Sequence, residues 1–283
     1  MGISISPFTL AELEATDEVV KAAYNVLHSR KETLQRYLML EQGGCFVAKD
    51  EGVVVGFGGA MDYEAFAYIG LMSVHPAVQK RGVGGLLLEA LLAWLDGRGC
   101  SSVLLDATPV GARLYERYGF VEDDKTVVLR QMERVPIPHS LSEPVSLLVE
   151  EELPALVAFD APWFGAERGA VLASYWADNP QRAFVVRDVH GQISGYLIAQ
   201  PHALGPWVAR TVEDTERLLA RALTFSVESE PGVFVSVSNR DALRLLKRYG
   251  FGEQRVLSHM RKGKCVQRSR HTMLYGQASL GFG

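Results

Sequence analysis

The sequence predicts an α+β fold in which one unit is duplicated, each copy a central mixed β-sheet flanked by helices. Three observations lead there. The segment RLYERYGF at 113–120 returns as RLLKRYGF at 244–251, six identities in eight at an offset of 131 residues. That offset holds without a gap back to Leu71, setting Val103-Leu104 against Phe234-Val235 and Leu87-Leu88 against Leu218-Leu219. Self-similarity of this length is the signature of a repeated structural unit. The chain, with 283 residues and 48% of them hydrophobic, is long and apolar enough to bury two ordinary cores.

The elements follow in order. Ile3 and Ile5 alternate with Ser4 and Ser6, as a half-buried first strand does. The same start, Met1-Gly2-Ile3-Ser4-Ile5-Ser6, fits N-myristoylation spacing, but no basic cluster supplies a second anchor, so the strand reading is kept. Helical patterns cover about 10–27 and 31–40. Cys45 to Lys49 and Val53 to Ala60 read as strands paired around Asp50-Glu51-Gly52. Ala67 to Val74 is a further strand, followed by a glycine loop and a helix from about Gly84 to Asp96. Val103 to Asp106 is a short buried strand, and Ala112 to Tyr118 a short helix stopped by Gly119. A strand from Val121 to Arg130 closes the copy. Phe46-Val-Ala and Phe184-Val-Val match at a different offset, which assigns a longer loop to residues 61–68 of the first copy. Pro136-Ile-Pro138 and Pro144 bracket a polar stretch that continues neither helix nor central strand. The expected division is therefore a domain at 1–135, a linker at 136–144 and a second domain at 145–283.

Composition excludes several functions. A net charge of −4 argues against nucleic acid as a partner, since phosphate backbones need a basic surface. Cys45, Cys100 and Cys265 lack CxxC spacing, and the histidines lack HExxH spacing, so neither disulfide framework nor metal site is expected. The first twenty residues lack a basic region and a long apolar core, and no apolar run is long enough to span a bilayer. A cytoplasmic protein with no membrane partner is expected.

The chemistry concentrates in VHPAVQKRGVGG, residues 74–85. A strand–loop–helix junction with free backbone N–H groups suits an anion, because the first turn of a helix lacks partners and its dipole favours negative charge. Gly82 and Gly84 let an oxygen approach the backbone, and Lys80 and Arg81 add positive charge. A Walker loop is excluded because Leu86-Leu87 stand where Lys and Ser belong. A dinucleotide fingerprint is excluded because Gly82-x-Gly84 is followed by Leu87. On these residues alone, an anion site and a ligand-free tight turn remain equal readings.

Val74 followed by Gln79-x-x-Gly82-x-Gly84 resembles the acyl-CoA pyrophosphate loop of the GNAT superfamily of N-acetyltransferases. Residues 1–133 carry the likeness, including Tyr-Glu-Arg-Tyr-Gly-Phe at 115–120. The tandem arrangement, Asp106-Ala-Thr-Pro-Val-Gly111 and the closing Tyr275-Gly-Gln-Ala-Ser-Leu-Gly281 resemble a bacterial two-module subfamily with a divergent C-terminal domain. The resemblance implies acetyl-CoA as acyl donor and no metal. It places Gln79, Lys80, Arg81, Gly82, Val83, Gly84 and Gly85 at the pyrophosphate, with Met72, Ser73 and Val74 beside the pantetheine arm. It further implies direct transfer to a primary amine of a small molecule or peptide. The alternative is an inactive acyl-CoA-binding sensor or interaction protein.

Such transfer needs a neutral amine, and freeing one from its proton costs about 4 kcal/mol at pH 7. Tyr115 matches the residue that in relatives returns a proton to the leaving thiolate. The base is open among Glu64, Asp62 and Asp106. His75 is read as a cap at the strand end. The Asn that usually precedes this helix in the family is absent from Thr108-Pro109-Val110-Gly111. In the second copy, Gln79, Gly82, Gly84 and Tyr115 align with Arg210, Glu213, Thr215 and Leu246. Thr211-Val-Glu213-Asp214 looks like a capping box, and two carboxylates there repel phosphate. The second copy is expected to hold no acyl donor.

Overall fold

The computed structural model describes residues 2–137, 145–225 and 230–283. The first half begins with β1 (Ser4–Pro7) and, after a 3-10 turn at Leu10–Glu12, α1 (Leu13–Tyr24) and α2 (Lys31–Leu40). The single helix expected over 10–27 is thus trimmed at both ends. Thr9 and Glu12 form a capping box on the 3-10 turn, and Asn25 ends α1 in the left-handed conformation at φ 51°.

Next come β2 (Cys45–Asp50), β3 (Val53–Asp62), β4 (Ala67–Val74), α3 (Val83–Gly97) and β5 (Ser102–Ala107). Of residues 61–68, expected as a longer loop, only 63–66 are loop, and the two residues on either side belong to strands. The extra length of the first copy lies in a longer β3–β4 hairpin. Helix α4 (Pro109–Arg117) starts three residues ahead of its expected start at Ala112. Thr108 caps it by accepting from the Gly111 N–H at 3.1 Å, and Pro109 sits in the first turn, where its missing N–H costs nothing. The half ends with β6 (Val121–Gln131).

Of the expected linker, residues 138–144 lie outside the described residues. The second half contains β7 (Ser146–Leu147), α5 (Leu153–Phe164), α6 (Gly169–Asp178), β8 (Ala183–Arg187), β9 (Ile193–Ala199), β10 (Leu204–Ala209) and α7 (Val212–Leu223). Then follow β11 (Gly232–Ser236), α8 (Arg240–Arg248), β12 (Phe251–Gly263) and β13 (Leu274–Gly276). The α+β class and the repeated element order agree with the sequence reading.

The two copies do not keep their strands to themselves. One sheet has eight strands in the order β1-β2-β3-β4-β5-β12-β6-β11, and the other has five in the order β13-β10-β9-β8-β7. Strand β12, from the second half, lies between β5 and β6, with Met260 opposite Leu105 and Val256 opposite Val127. On its other edge β6 pairs with β11, Phe234 opposite Val128. The repeat offset makes β6 and β12 counterparts, so each half lends its last long strand to the other across an antiparallel seam. Val127 and Leu129 of β6 accordingly pack in the core of the second half, while Met260 of β12 packs in that of the first.

Against the first half of this sheet, α3 buries Leu87, Leu88, Leu91 and Leu95 completely. Each such side chain contributes on the order of 2 kcal/mol. The chain's last residues thread back to β4: Tyr37 donates to the Gly281 carbonyl at 2.7 Å and Tyr63 to that of Phe282 at 2.7 Å. Phe282 is fully buried and stacks on Tyr37 at 4.5 Å. A Cβ on Gly70 would sit 2.2 Å from the Gly281 Cα, so β4 needs a glycine where this segment crosses it.

Candidate functional site

The loop between β4 and α3 presents an open row of backbone donors. His75 caps a 3-10 turn at Pro76–Val78, accepting from the Ala77 N–H at 3.3 Å, and Gln79 donates to the Val74 carbonyl at 3.1 Å. Lys80 at φ 65° and Gly82 at φ 84° are both left-handed, which turns successive N–H groups toward one side. Gly82 precedes α3 with no side-chain cap, and the N–H groups of residues 80–84 have no acceptor among the described residues. A Cβ on Gly82 would meet nothing within 4 Å, so the space over this nest is open.

The three glycines have different causes. Gly82 serves the left-handed turn. A Cβ on Gly84 would stand 3.3 Å from Leu114 and one on Gly85 2.9 Å from the Tyr118 hydroxyl, so both let α4 approach α3. The Gly85 N–H is bonded to the Gly82 carbonyl at 2.9 Å and is no free donor. Arg81, expected at the rim, is held by Asp50 at 2.8 Å. Lys80 is exposed, and Val83 is buried in the core beneath the loop.

Beside this nest β4 and β5 part. Their parallel ladder consists of Ala67 with Val103 and Tyr68 with Leu104, after which they share no rung. At Leu71, φ is 54° and the pairing with β3 slips. Such a bulge turns the strand's edge toward the gap. Here Met72 offers its carbonyl to the Tyr24 hydroxyl at 3.0 Å, and buried Ser73 donates to the Leu71 carbonyl at 2.7 Å.

Tyr115 on α4 is buried, its ring 5.7 Å from that of Phe120. Burial, with the Tyr24 phenol in electrostatic reach, pushes its hydroxyl above the usual range. Two phenols from distant segments, Tyr24 and Tyr115, thus stand within electrostatic reach of each other by the divergence of β4 and β5. Tyr24 carried no motif in the sequence and becomes visible only through its bond to Met72.

The candidate carboxylates lie elsewhere. The Asp106 carboxylate is wholly buried; one oxygen accepts from Tyr68 at 2.5 Å, the other from Thr126 at 2.6 Å and His259 at 3.0 Å. Burial alone would raise its pKa, but His259, Arg270 and Thr126 outweigh that and hold it well below the usual carboxylate range. Burial and the Arg270 charge push His259 down to about 4 despite Asp106, so at neutral pH its uncharged ring donates from Nδ1. Glu64 stands exposed at the tip of the β3–β4 hairpin with φ 63°, at the end where β4 and β5 remain paired. Asp62 is paired with Arg98 at 2.7 Å, at the far end of α3 from the glycine loop. The structure does not bring Glu64 or Asp62 to the divergence.

The corresponding corner of the second half is closed. Thr211 accepts from the Asp214 N–H at 3.0 Å, and the Thr215 N–H bonds the Thr211 carbonyl at 3.1 Å. This is half of the expected capping box, with the Glu213 and Asp214 carboxylates paired to Arg217 instead. Leu246 is fully buried where the first half has Tyr115.

Among the described residues no helix is long and apolar enough to cross a membrane, and no cluster of metal-ligating side chains occurs.

Comparison with known proteins agrees with this geometry. The acetyltransferase (GNAT) family model matches residues 10–120, and an acetyltransferase (GNAT) domain model matches residues 156–276. A candidate acetyltransferase from Pyrococcus horikoshii superposes with a TM-score of 0.88 at 26% identity, covering 100% of this chain and 96% of its own. A GCN5-related N-acetyltransferase from Sphaerobacter thermophilus gives a TM-score of 0.70 at 16% identity, covering 94% of this chain and 97% of its own. A glucosamine N-acetyltransferase region of a fungal multi-domain β-N-acetylglucosaminidase gives 0.68 at 16% identity, covering 92% of this chain and 38% of its own. No curated protein matches the chain. With both halves matched by models of one family, the chain belongs to the GNAT acetyltransferases as a two-domain member.

Proposed function

We propose that the chain transfers an acetyl group from acetyl-CoA directly to a primary amine of a small molecule or peptide, using one site in its first half. The observation that carries this reading is the row of unaccepted N–H groups at residues 80–84, beside a strand pair that opens after Tyr68. The nest fits a pyrophosphate: several amides converge at a helix N-terminus, and Gly82 leaves the space above them empty. Gln79 and Lys80 border it, and the backbone of Met72, Ser73 and Val74 would run alongside the pantetheine arm. Acetyl-CoA, when bound, supplies the activated acyl group.

The chain's residues do the rest. Amides of β4 at the divergence orient the thioester carbonyl and stabilise charge on its oxygen. Tyr115 gives its phenolic proton to the departing thiolate. Asp106 acts as a positioning residue, fixing Tyr68 and His259 across the seam between β5 and β12. With both Asp106 oxygens occupied and Glu64 at the closed end of β4, the proton of the amine passes to water. Localisation in the cytoplasm, and an acceptor that is neither nucleic acid nor membrane, accord with the acidic composition.

Release of free CoA thiol from acetyl-CoA, followed with and without a panel of primary amines, tests the reading. Amine-dependent release supports it. CoA binding with no release by any amine favours the sensor alternative.

A further inference from the structure

Around Tyr24 the two halves bring together cationic side chains that the transfer chemistry does not use. Arg30 follows α1, Arg130 lies on β6 and Arg255 on β12. Gly252 is opposite Arg130 and Val128 is opposite Arg255, so the two arginines project from the same face of adjacent strands. Desolvation raises the Tyr24 phenol and the charges of Arg255 and Arg30 oppose that, so both stand within electrostatic reach of the hydroxyl that bonds the Met72 carbonyl. Arg30 itself is lowered by burial and by the like charges of Arg255 and Arg130, against Tyr24 and Asp17. At the rim, the rings of His28 and His202 lie 5.7 Å apart.

Among the described residues these guanidinium groups form no ion pair, whereas other arginines of the first half and its borrowed strand do. Arg81 holds Asp50, Arg98 holds Asp62 and Arg261 holds Asp123. Among the described residues no carboxylate forms an ion pair with Arg30, Arg130 or Arg255. Among the described residues Arg130 makes only neutral contacts, to the Glu230 carbonyl at 2.8 Å and the Gln254 amide oxygen at 3.3 Å. Asp17 is engaged by the Ser29 hydroxyl at 3.0 Å and the Arg30 backbone N–H at 2.5 Å rather than by a guanidinium. Three like charges gathered by a site, on a protein of net charge −4, call for an anion. Guanidinium groups bind planar carboxylate and phosphate oxygens through two parallel hydrogen bonds.

We propose that the acceptor amine also carries an anionic group, carboxylate or phosphate, which Arg30, Arg130 and Arg255 grip while the amine reaches the open end of β4. This deepens the acetyl-transfer reading and rests on it. Polyamines and other purely cationic acceptors are repelled from the same face.

The test uses the full chain and matched amines that differ in the anion alone: O-phosphoethanolamine against ethanolamine, and glycine against glycinamide. The anionic member of at least one pair is expected to have a kcat/KM at least tenfold higher, and which pair responds identifies phosphate or carboxylate. In Arg255→Gln that preference falls about tenfold through KM, and Arg255→Lys restores part of it. Equal use of anionic and neutral amines in both pairs, or an unchanged preference in Arg255→Gln, overturns the proposal. Calorimetric titration with inorganic phosphate, with saturating CoA occupying the nest at residues 80–84, judges the arginine site separately from catalysis. Phosphate binding that weakens in Arg255→Gln supports the site even if acetyl transfer fails, and phosphate binding unaffected by that substitution refutes it.

Discussion

Replacing Gly82 by Asp puts a carboxylate into the open space above the donor nest. The fold should survive. No atom lies within 4 Å of the new Cβ, so the substitution meets no steric contact. The cost is the left-handed backbone at φ 84°, about 1 kcal/mol for a residue type that tolerates it better than most. A negative charge at the start of α3 returns about 0.3–1 kcal/mol of that through the helix dipole. Net stability should therefore change by less than about 1 kcal/mol. Binding responds differently. With the carboxylate about 6 Å from a pyrophosphate charge, repulsion ranges from about 0.7 kcal/mol at the dielectric of water to about 3 kcal/mol at an effective dielectric of 20. That predicts a 3- to 100-fold loss of CoA affinity, centred near tenfold. Gly82→Asn has the same shape and backbone strain without the charge, so it should retain most of the affinity. The assay is isothermal calorimetry with CoA on wild type and both variants, with thermal melts alongside. A folded Gly82→Asp protein that binds CoA as tightly as wild type would refute the assignment of this nest.

Three further outcomes follow from the same geometry. Tyr115→Phe keeps the packing against Phe120 and removes only the hydroxyl, so CoA affinity should persist while kcat falls about 10²–10⁴-fold; near-normal turnover removes Tyr115 from the chemistry. Without an enzyme base, log kcat/KM should climb with pH at unit slope up to the pKa of the acceptor amine; a plateau beginning near pH 7 would reveal a base on the protein. His259 titrates near 4 when folded and near 6.5 when unfolded, so between those values the unfolded chain binds the extra proton. Stability should therefore fall as pH drops through that window, by on the order of 3 kcal/mol in all, and His259→Gln should flatten the dependence; identical pH profiles for the two proteins in denaturant melts would exclude this role.

Local signals in the sequence located most elements. The apolar run of β4, the leucine stripe of α3 and the Gly119 stop of α4 each report physics confined to neighbouring residues. Thr108-Pro109 was also a usable signal, a cap followed by a first-turn proline, and it explains why α4 starts ahead of Ala112. Strand exchange was not legible. Nothing in residues 251–263 chooses β5 and β6 as partners over β10 or β11. The Asp106 cluster was hidden for the same reason, since His259 is 153 residues away in sequence and arrives only on the exchanged strand. The loop was legible in kind but not in detail. Three glycines read as one feature divide into a left-handed turn at Gly82 and two packing positions facing Leu114 and Tyr118. The contrast with Thr211 and Asp214 was readable because capping is a short-range property.

The claim at the centre of this account is that one half of a duplicated chain kept its acyl-donor site while the other closed it with its own side chains. Calorimetric titration of the full-length wild-type protein with CoA measures this directly as a stoichiometry. One site per chain, weakened by Gly82→Asp and unaffected by Glu213→Gln, is the predicted result. Two sites of similar affinity, or a single site that responds to Glu213→Gln and ignores Gly82→Asp, would contradict it.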